Sequence, residues 1–128
     1  MTVEIKVEEL TTYSIACDGS SVVLRLTDQT GQPVALTFDI QVLGTLAMTL
    51  PTLIEAALRR QYRDASFRYT HPIGDWSIEQ SNEPTKLIVT MKTKDGFGVS
   101  FSLPRMSAKA LGGALSEAVA IASATALH

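Results

Sequence analysis

Cysteine is almost missing from this chain: Cys17 is the only one in 128 residues. One thiol excludes an intramolecular disulfide and a multi-cysteine zinc site, and it fits a reducing compartment, so a soluble, cytoplasmic protein is expected. Histidine is nearly as scarce. His71 and His128 stand far apart, with no metal-ligand spacing such as H-E-x-x-H, so no metal site and no cofactor are expected. Charge of either sign is in small excess only. A net charge of −2 makes no field that would gather nucleic acid or a membrane surface. No uninterrupted run of about 18 apolar residues occurs, so no membrane span is expected; the Ala-rich tail comes nearest, and Lys109, Glu117 and several serines break it. Met1-Thr2-Val3-Glu4 opens with acid and alternation, where a secretion signal would open with basic residues and an apolar run. Phosphate-binding glycine loops and the G-x-S-x-G nucleophile elbow are also absent, which points away from catalysis.

What is present suits a folded globular protein. The hydrophobic fraction is 45% and the charged fraction 19%, unlike a disordered chain. The length suits one domain, residues 1–128, with a sizeable core.

The stretch Tyr13 to Leu58 is said twice. A shift of 63 residues sets Tyr13-Ser14-Ile15 on Trp76-Ser77-Ile78, Leu24 and Leu26 on Leu87 and Val89, and Val34, Leu36 and Phe38 on Phe97, Val99 and Phe101. The helical stripe Leu111, Leu115, Ala118, Val119 and Ala122 has the spacing of Leu50, Ile54, Ala57, Leu58 and Gln61 at an offset of 61. Two extra residues are therefore expected between strand and helix in the first repeat, where a length change costs little. The expected fold is α+β: two β(3–4)α repeats, about 3–63 and 67–127, related by a pseudo-twofold, forming an antiparallel sheet with two helices on one face.

Within the first repeat, Val3, Ile5 and Val7 alternate with charge and predict an edge strand. Tyr13, Ile15 and Cys17 predict an inward row that buries the thiol, and Asp18-Gly19 and Asp28 to Pro33 predict turns. Pro51 suits a first helical turn, so the main helix is expected to start near Thr49. The second repeat is expected to open with Phe67 and Tyr69 on a strand, and its helix to start at Ser107.

Two groups of residues are candidates for function. Arg59, Arg60, Arg63, Arg68, Tyr69, His71 and Trp76 interleave cations with aromatics, a composition that binds an anionic ligand, an acidic protein or nucleic acid. The plainer account pairs these arginines with Glu55 and Asp64 and puts the aromatics in the core; the overall acidity speaks against nucleic acid. Gly113, Ala120 and Ala124 line the back of the last helix, where small residues permit close approach of a second subunit or a crossing of the two helices at Gly112-Gly113. The expected function is a non-catalytic binding module that self-associates as a homodimer. The alternative is a small-ligand binder or enzyme with a pocket between sheet and helices, mouthed by Arg68, His71, Asp75 and Trp76.

Overall fold

A computed structural model describes residues 1–126. The chain divides into two compact units, Met1–Tyr69 and Thr70 onward. In the first, β1 (Val7–Ile15), β2 (Ser21–Asp28) and β3 (Pro33–Asp39) form an antiparallel sheet in the order β1-β2-β3, followed by α1 (Ile40–Tyr62). In the second, β4 (Asp75–Gln80), β5 (Lys86–Lys92) and β6 (Gly98–Pro104) form another, in the order β4-β5-β6, followed by α2 (Arg105–Ala126). The fold is α+β with the β-β-β-α pattern given twice, three strands to each copy.

The strand pairings fix one apolar face on each sheet. Tyr13 faces Leu24, which faces Leu36; Ile15 faces Val22, which faces Phe38. Leu10 faces Leu26 and Val34, one residue out of phase with Tyr13, and a register shift between Leu10 and Thr12 absorbs the difference. That bulge keeps all three β1 side chains on the same face. On the second sheet Trp76 faces Met91 and Val99, while Ile78 faces Val89 and Phe101. The opposite faces carry Ser14, Thr37, Thr90 and Ser100, with Thr90 and Ser100 joined by a 2.7 Å hydroxyl bond.

The repeat itself is confirmed, but its offset is 65 rather than 63 and 61. Ser21, Pro33 and Ile40 open β2, β3 and α1, and Lys86, Gly98 and Arg105 open their counterparts, each 65 residues later. Pairs correspond as well: Tyr13–Leu24 to Ile78–Val89, and Leu26–Val34 to Met91–Val99. The discrepancies have a physical origin. A slip of two residues returns a strand to the same face, and a slip of four turns a helix through slightly more than one turn. Pattern matching is blind to both. The two extra residues between strand and helix do not exist.

Several boundaries also differ from the sequence expectations. Val3 and Ile5 lie outside any strand, and β1 begins at Val7. Cys17 sits exposed in the β1–β2 turn instead of facing inward, because the Ala16 N–H to Ser21 carbonyl bond (3.0 Å) closes the hairpin one residue before it. Phe67 and Tyr69 are in no strand; they follow α1 in the first unit. Helix α1 starts nine residues before Thr49, at Ile40, with Asp39 as its cap: the Asp39 carboxylate accepts from the Val42 N–H at 2.8 Å. Pro51 therefore lies inside the helix. An interior proline forfeits one backbone bond, and the Thr45 and Thr49 hydroxyls bond back to the carbonyls of Gln41 and Thr45 in the turns just before it. In α2 the helix begins at Arg105, not Ser107. Arg105 ties that start to the preceding hairpin, with its N–H on the Thr85 carbonyl (2.8 Å), its Nε on the Pro84 carbonyl and its Nη2 on Gln80 Oε1 (3.1 Å).

Each helix meets its own sheet near the sheet's β2–β3 or β5–β6 side. Only the first turns are involved in the half-buried contacts there: Leu43 and Leu46 in α1, Ala108 in α2. Since Asp39 ends β3 and caps α1, no residues remain for a reversal that would lay the helix flat on the sheet. Among the described residues Leu26 is the one buried hydrophobic, at 4% exposure. The expected inner stripes are open: Leu50, Leu53 and Ile54 in α1, and Leu111, Leu115 and Val119 in α2.

Three turns share one device. Asp18, Asp28 and Asp64 each accept, through Oδ1, the backbone N–H and the hydroxyl of the residue two positions on: Ser20 (3.0 and 2.7 Å), Thr30 (2.9 and 2.6 Å) and Ser66 (2.9 and 2.6 Å). These hydroxyl bonds, with the backbone bonds second, hold all three carboxyls below their ordinary value of 3.8; Thr93 does the same for Asp95. A carboxylate whose folded pKa is depressed contributes stability above its unfolded pKa and loses it as pH falls through the folded value. Denaturant titrations across the acid range should therefore show stability flat above about pH 5 and declining below about pH 4, with the decline shallower in Asp28→Asn than in the wild type.

Candidate functional site

The basic-aromatic cluster is built at the end of α1, and its arginines do different things. Arg59 is engaged on two sides. Its Nη2 pairs with Glu55 Oε1 at 2.8 Å, one helical turn back, and its Nε donates to the Phe67 carbonyl at 2.9 Å. Glu55 Oε2 in turn accepts the Tyr69 N–H at 2.9 Å. This pair, each member about one-third exposed, therefore straps the segment after α1 against the helix. The ring of Tyr62 packs against that of Phe67, tilted by 37° with 5.3 Å between centroids, closing the same loop from the other side. Arg59 thus follows the plainer account.

Arg63 has a backbone task. It is the C-cap of α1 and the one non-glycine residue with positive φ among those described (φ 54°, ψ 41°), and its N–H reaches the Arg59 and Arg60 carbonyls. The left-handed conformation ends the helix in the way a glycine usually would. Arg60 is exposed on the last turn, where a cation suits the negative end of the helix dipole. Arg68 folds its guanidinium back onto the Ser66 and Phe67 carbonyls, at 3.2 and 3.4 Å.

The remaining candidates of that group lie in the second unit. His71 packs its ring against Phe97, tilted by 42° at 5.0 Å between centroids, and with Pro72, Ile73, Thr93, Lys94 and Asp95 it lines a shallow depression of about 300 Å³. The charge of His71 is a minor contributor to the lowered pKa of Asp95, behind the Thr93 hydroxyl. Trp76 is on the apolar face of β4, 65% exposed. Asp75 faces Lys92 across the sheet and Glu79 faces Ile88, both on the opposite face from Trp76. Two further depressions, about 270 and 410 Å³, are lined by strand and loop residues such as Thr11, Leu26 and Pro33 in one, and Lys6, Asp28 and Gln29 in the other. No helix residue lines any of these three. No group of three or more histidine, cysteine, aspartate or glutamate side chains able to hold a metal ion occurs among the described residues. His128 lies outside the described residues.

The small-residue back of α2 is present as spaced. Gly113, Ala120 and Ala124 share one side of a continuous helix, opposite Leu111 and Leu115, and all are exposed. A Cβ placed on Gly112 or Gly113 would meet nothing within 4 Å.

One further feature escaped the sequence reading. Helix α1, 23 residues long, holds an 18-residue window of mean hydropathy 1.4, long and apolar enough by length and composition to cross a membrane, and none of that window is buried. The expectation that no segment qualifies rested on uninterrupted apolar runs. Threonine and glycine interrupt a run without lowering its mean hydropathy much, so the windowed signal survives. No protein-family model, curated protein or solved structure matches the chain.

Glu55 is the residue on which the cluster turns, since it holds both Arg59 and the Tyr69 N–H. Glu55→Ala should cost about 1–2 kcal/mol of stability, the range for losing charge-assisted bonds at a partly exposed site. Urea unfolding checks this, and proteolysis of the 64–69 segment should accelerate in the same variant.

Proposed function

We propose that this protein is a non-catalytic interaction module that works as a homodimer. The observation that supports it most directly is burial. A chain of 128 residues normally encloses a core of many apolar side chains, yet among the described residues Leu26 alone is buried. An interface between chains can supply apolar burial, and obligate homodimers often have no stable folded monomer. The back of α2, with Gly113, Ala120 and Ala124 open to close approach, suits helix-to-helix packing between copies, and a twofold axis is the commonest way for identical chains to associate.

Catalysis finds no comparable support. The aspartates with perturbed pKa values serve turns, and their partners are the hydroxyls and N–H groups of the same turns. Anion binding by the cluster after α1 is the second reading, weakened because Arg59 and Arg68 already have carboxylate or carbonyl partners. Arg60 and Arg63, both exposed at the end of α1, are what that reading retains.

Sedimentation velocity tests the homodimer. Wild-type protein should run as a dimer at micromolar concentration, and Ala120→Arg, which sets a long cation on the small-residue face, should weaken self-association at least tenfold, about 1.4 kcal/mol. A wild type that is monomeric throughout would contradict the proposal.

A further inference from the structure

The second unit opens with a short segment, residues 70–74, that belongs to no strand and lies on the β5–β6 turn. Two contacts seat it at the Gly74 end. The Gly74 N–H donates to the Lys92 carbonyl at 2.8 Å. A Cβ on Gly74 would stand 2.7 Å from Lys94 Cγ and 3.2 Å from its Cα, so this approach requires glycine. Toward the other end His71 packs its ring against Phe97, and it lines one depression together with Thr93, Lys94 and Asp95. Thr93 builds the turn itself: its hydroxyl bonds Asp95 Oδ1 and accepts the Phe97 N–H at 3.1 Å. Directly before the segment comes Tyr69, which Glu55 holds in the first unit. Release of residues 70–74 would therefore lengthen the free connection between the two units.

We propose that the contact between this segment and the β5–β6 turn is a pH-responsive latch, tightened when His71 carries a proton beside the Asp95 carboxylate and loosened when it does not. Histidine is the side chain whose charge ordinarily changes between about pH 5 and 8. The ionisable groups near His71 in the fold or the chain are Asp95 and Lys94 in the turn, Lys92 and Asp75 where β4 and β5 pair, and Arg68 and Tyr69 before it. Asp95 attracts an imidazolium and Lys94 repels it. The Thr93 hydroxyl does most to hold the Asp95 carboxyl below its ordinary value, so it is ionised wherever histidine takes up a proton. The one charged side chain that adds to this is His71, not the adjacent Lys94. Lys94 packs its stem on Gly74, further along the segment. The depressed carboxyl also sets a lower limit, because its contribution is present above its unfolded pKa and is lost as pH falls through its folded value. The latch is thus tightest in mildly acid solution, above about pH 4 and below the range near pH 8 where histidine is neutral. It lies within the second unit and stands whether or not the protein dimerises.

Hydrogen exchange of the Gly74 amide reads the latch, because that N–H is bonded to the Lys92 carbonyl only while the segment is seated. Exchange in the full wild-type protein is followed by NMR at about pH 5.5 and about pH 8, each rate divided by that of an unstructured peptide at the same pH. The Ala16 amide, bonded to the Ser21 carbonyl in the first unit, is the control for changes in overall stability. The expected result is Gly74 protection about two- to fivefold higher at the lower pH, the size of one exposed charge pair, with Ala16 protection unchanged. In His71→Gln and in Asp95→Asn this dependence at Gly74 is expected to vanish. Wild-type Gly74 protection that is equal at the two pH values, or that changes only in step with Ala16, overturns the inference. So does a pH response at Gly74 that survives in either variant. Where a variant does not fold, the comparison within the wild type decides by itself.

Discussion

A strand that runs straight into a helix has nowhere to turn. Asp39 is at once the last residue of β3 and the cap of α1, and Pro104 is followed directly by Arg105 at the start of α2. The caps and ties are specific. Asp39 accepts from Val42, while Arg105 holds the Gln80–Thr85 hairpin. These local bonds commit each helix to leaving its sheet near the join. The first turns bury a little against the sheet, Leu58 near the end of α1 is half-buried, and the middle of each stripe is exposed. The hydrophobic effect scales with area removed from water, at about 25 cal/mol per Å², so surfaces left open withhold most of what ordinarily offsets the chain entropy of folding. Everything proposed about association comes from that geometric constraint.

The repeat was legible because each copy carries the same alternation followed by the same helical stripe. Its phase was not. Tyr13 and Ile15 match Trp76 and Ile78 in type at a shift of 63, whereas the hydrogen-bonded ladder matches Tyr13 to Ile78 at 65. Side-chain type reports which face a residue occupies, and faces recur every second residue in a strand and about every fourth in a helix. Register is decided by turns, and the turns were recognisable only as turns. Asp-x-Ser and Asp-x-Thr at Asp18, Asp28 and Asp64 were the signal that could have fixed where each one closes, since the carboxylate reaches two residues forward. The start of α1 was displaced for a similar reason. Pro51 was given the place it prefers, the first turn, while the capping carboxylate of Asp39 outweighed that preference from the strand end.

Of the candidate residues, the sequence identified a dense group but not its internal division of labour. Glu55 and Arg59 at a spacing of four could be paired on paper; that the pair also holds the Phe67 carbonyl and the Tyr69 N–H depends on a loop path that no periodicity encodes. Arg63 carries a backbone conformation that its side-chain chemistry does not suggest. The small residues Gly113, Ala120 and Ala124 do share one side of α2, as their spacing requires.

The central claim is the homodimer proposed above: each unit taken by itself leaves much apolar surface open, and association of two chains covers it. Thermal unfolding followed over a hundredfold range of protein concentration tests this most directly, because association that supplies the core couples to the midpoint by mass action. The account predicts a midpoint that rises steadily with concentration. A sharp, reversible transition whose midpoint is the same at every concentration, in protein that sediments as a monomer, would contradict it.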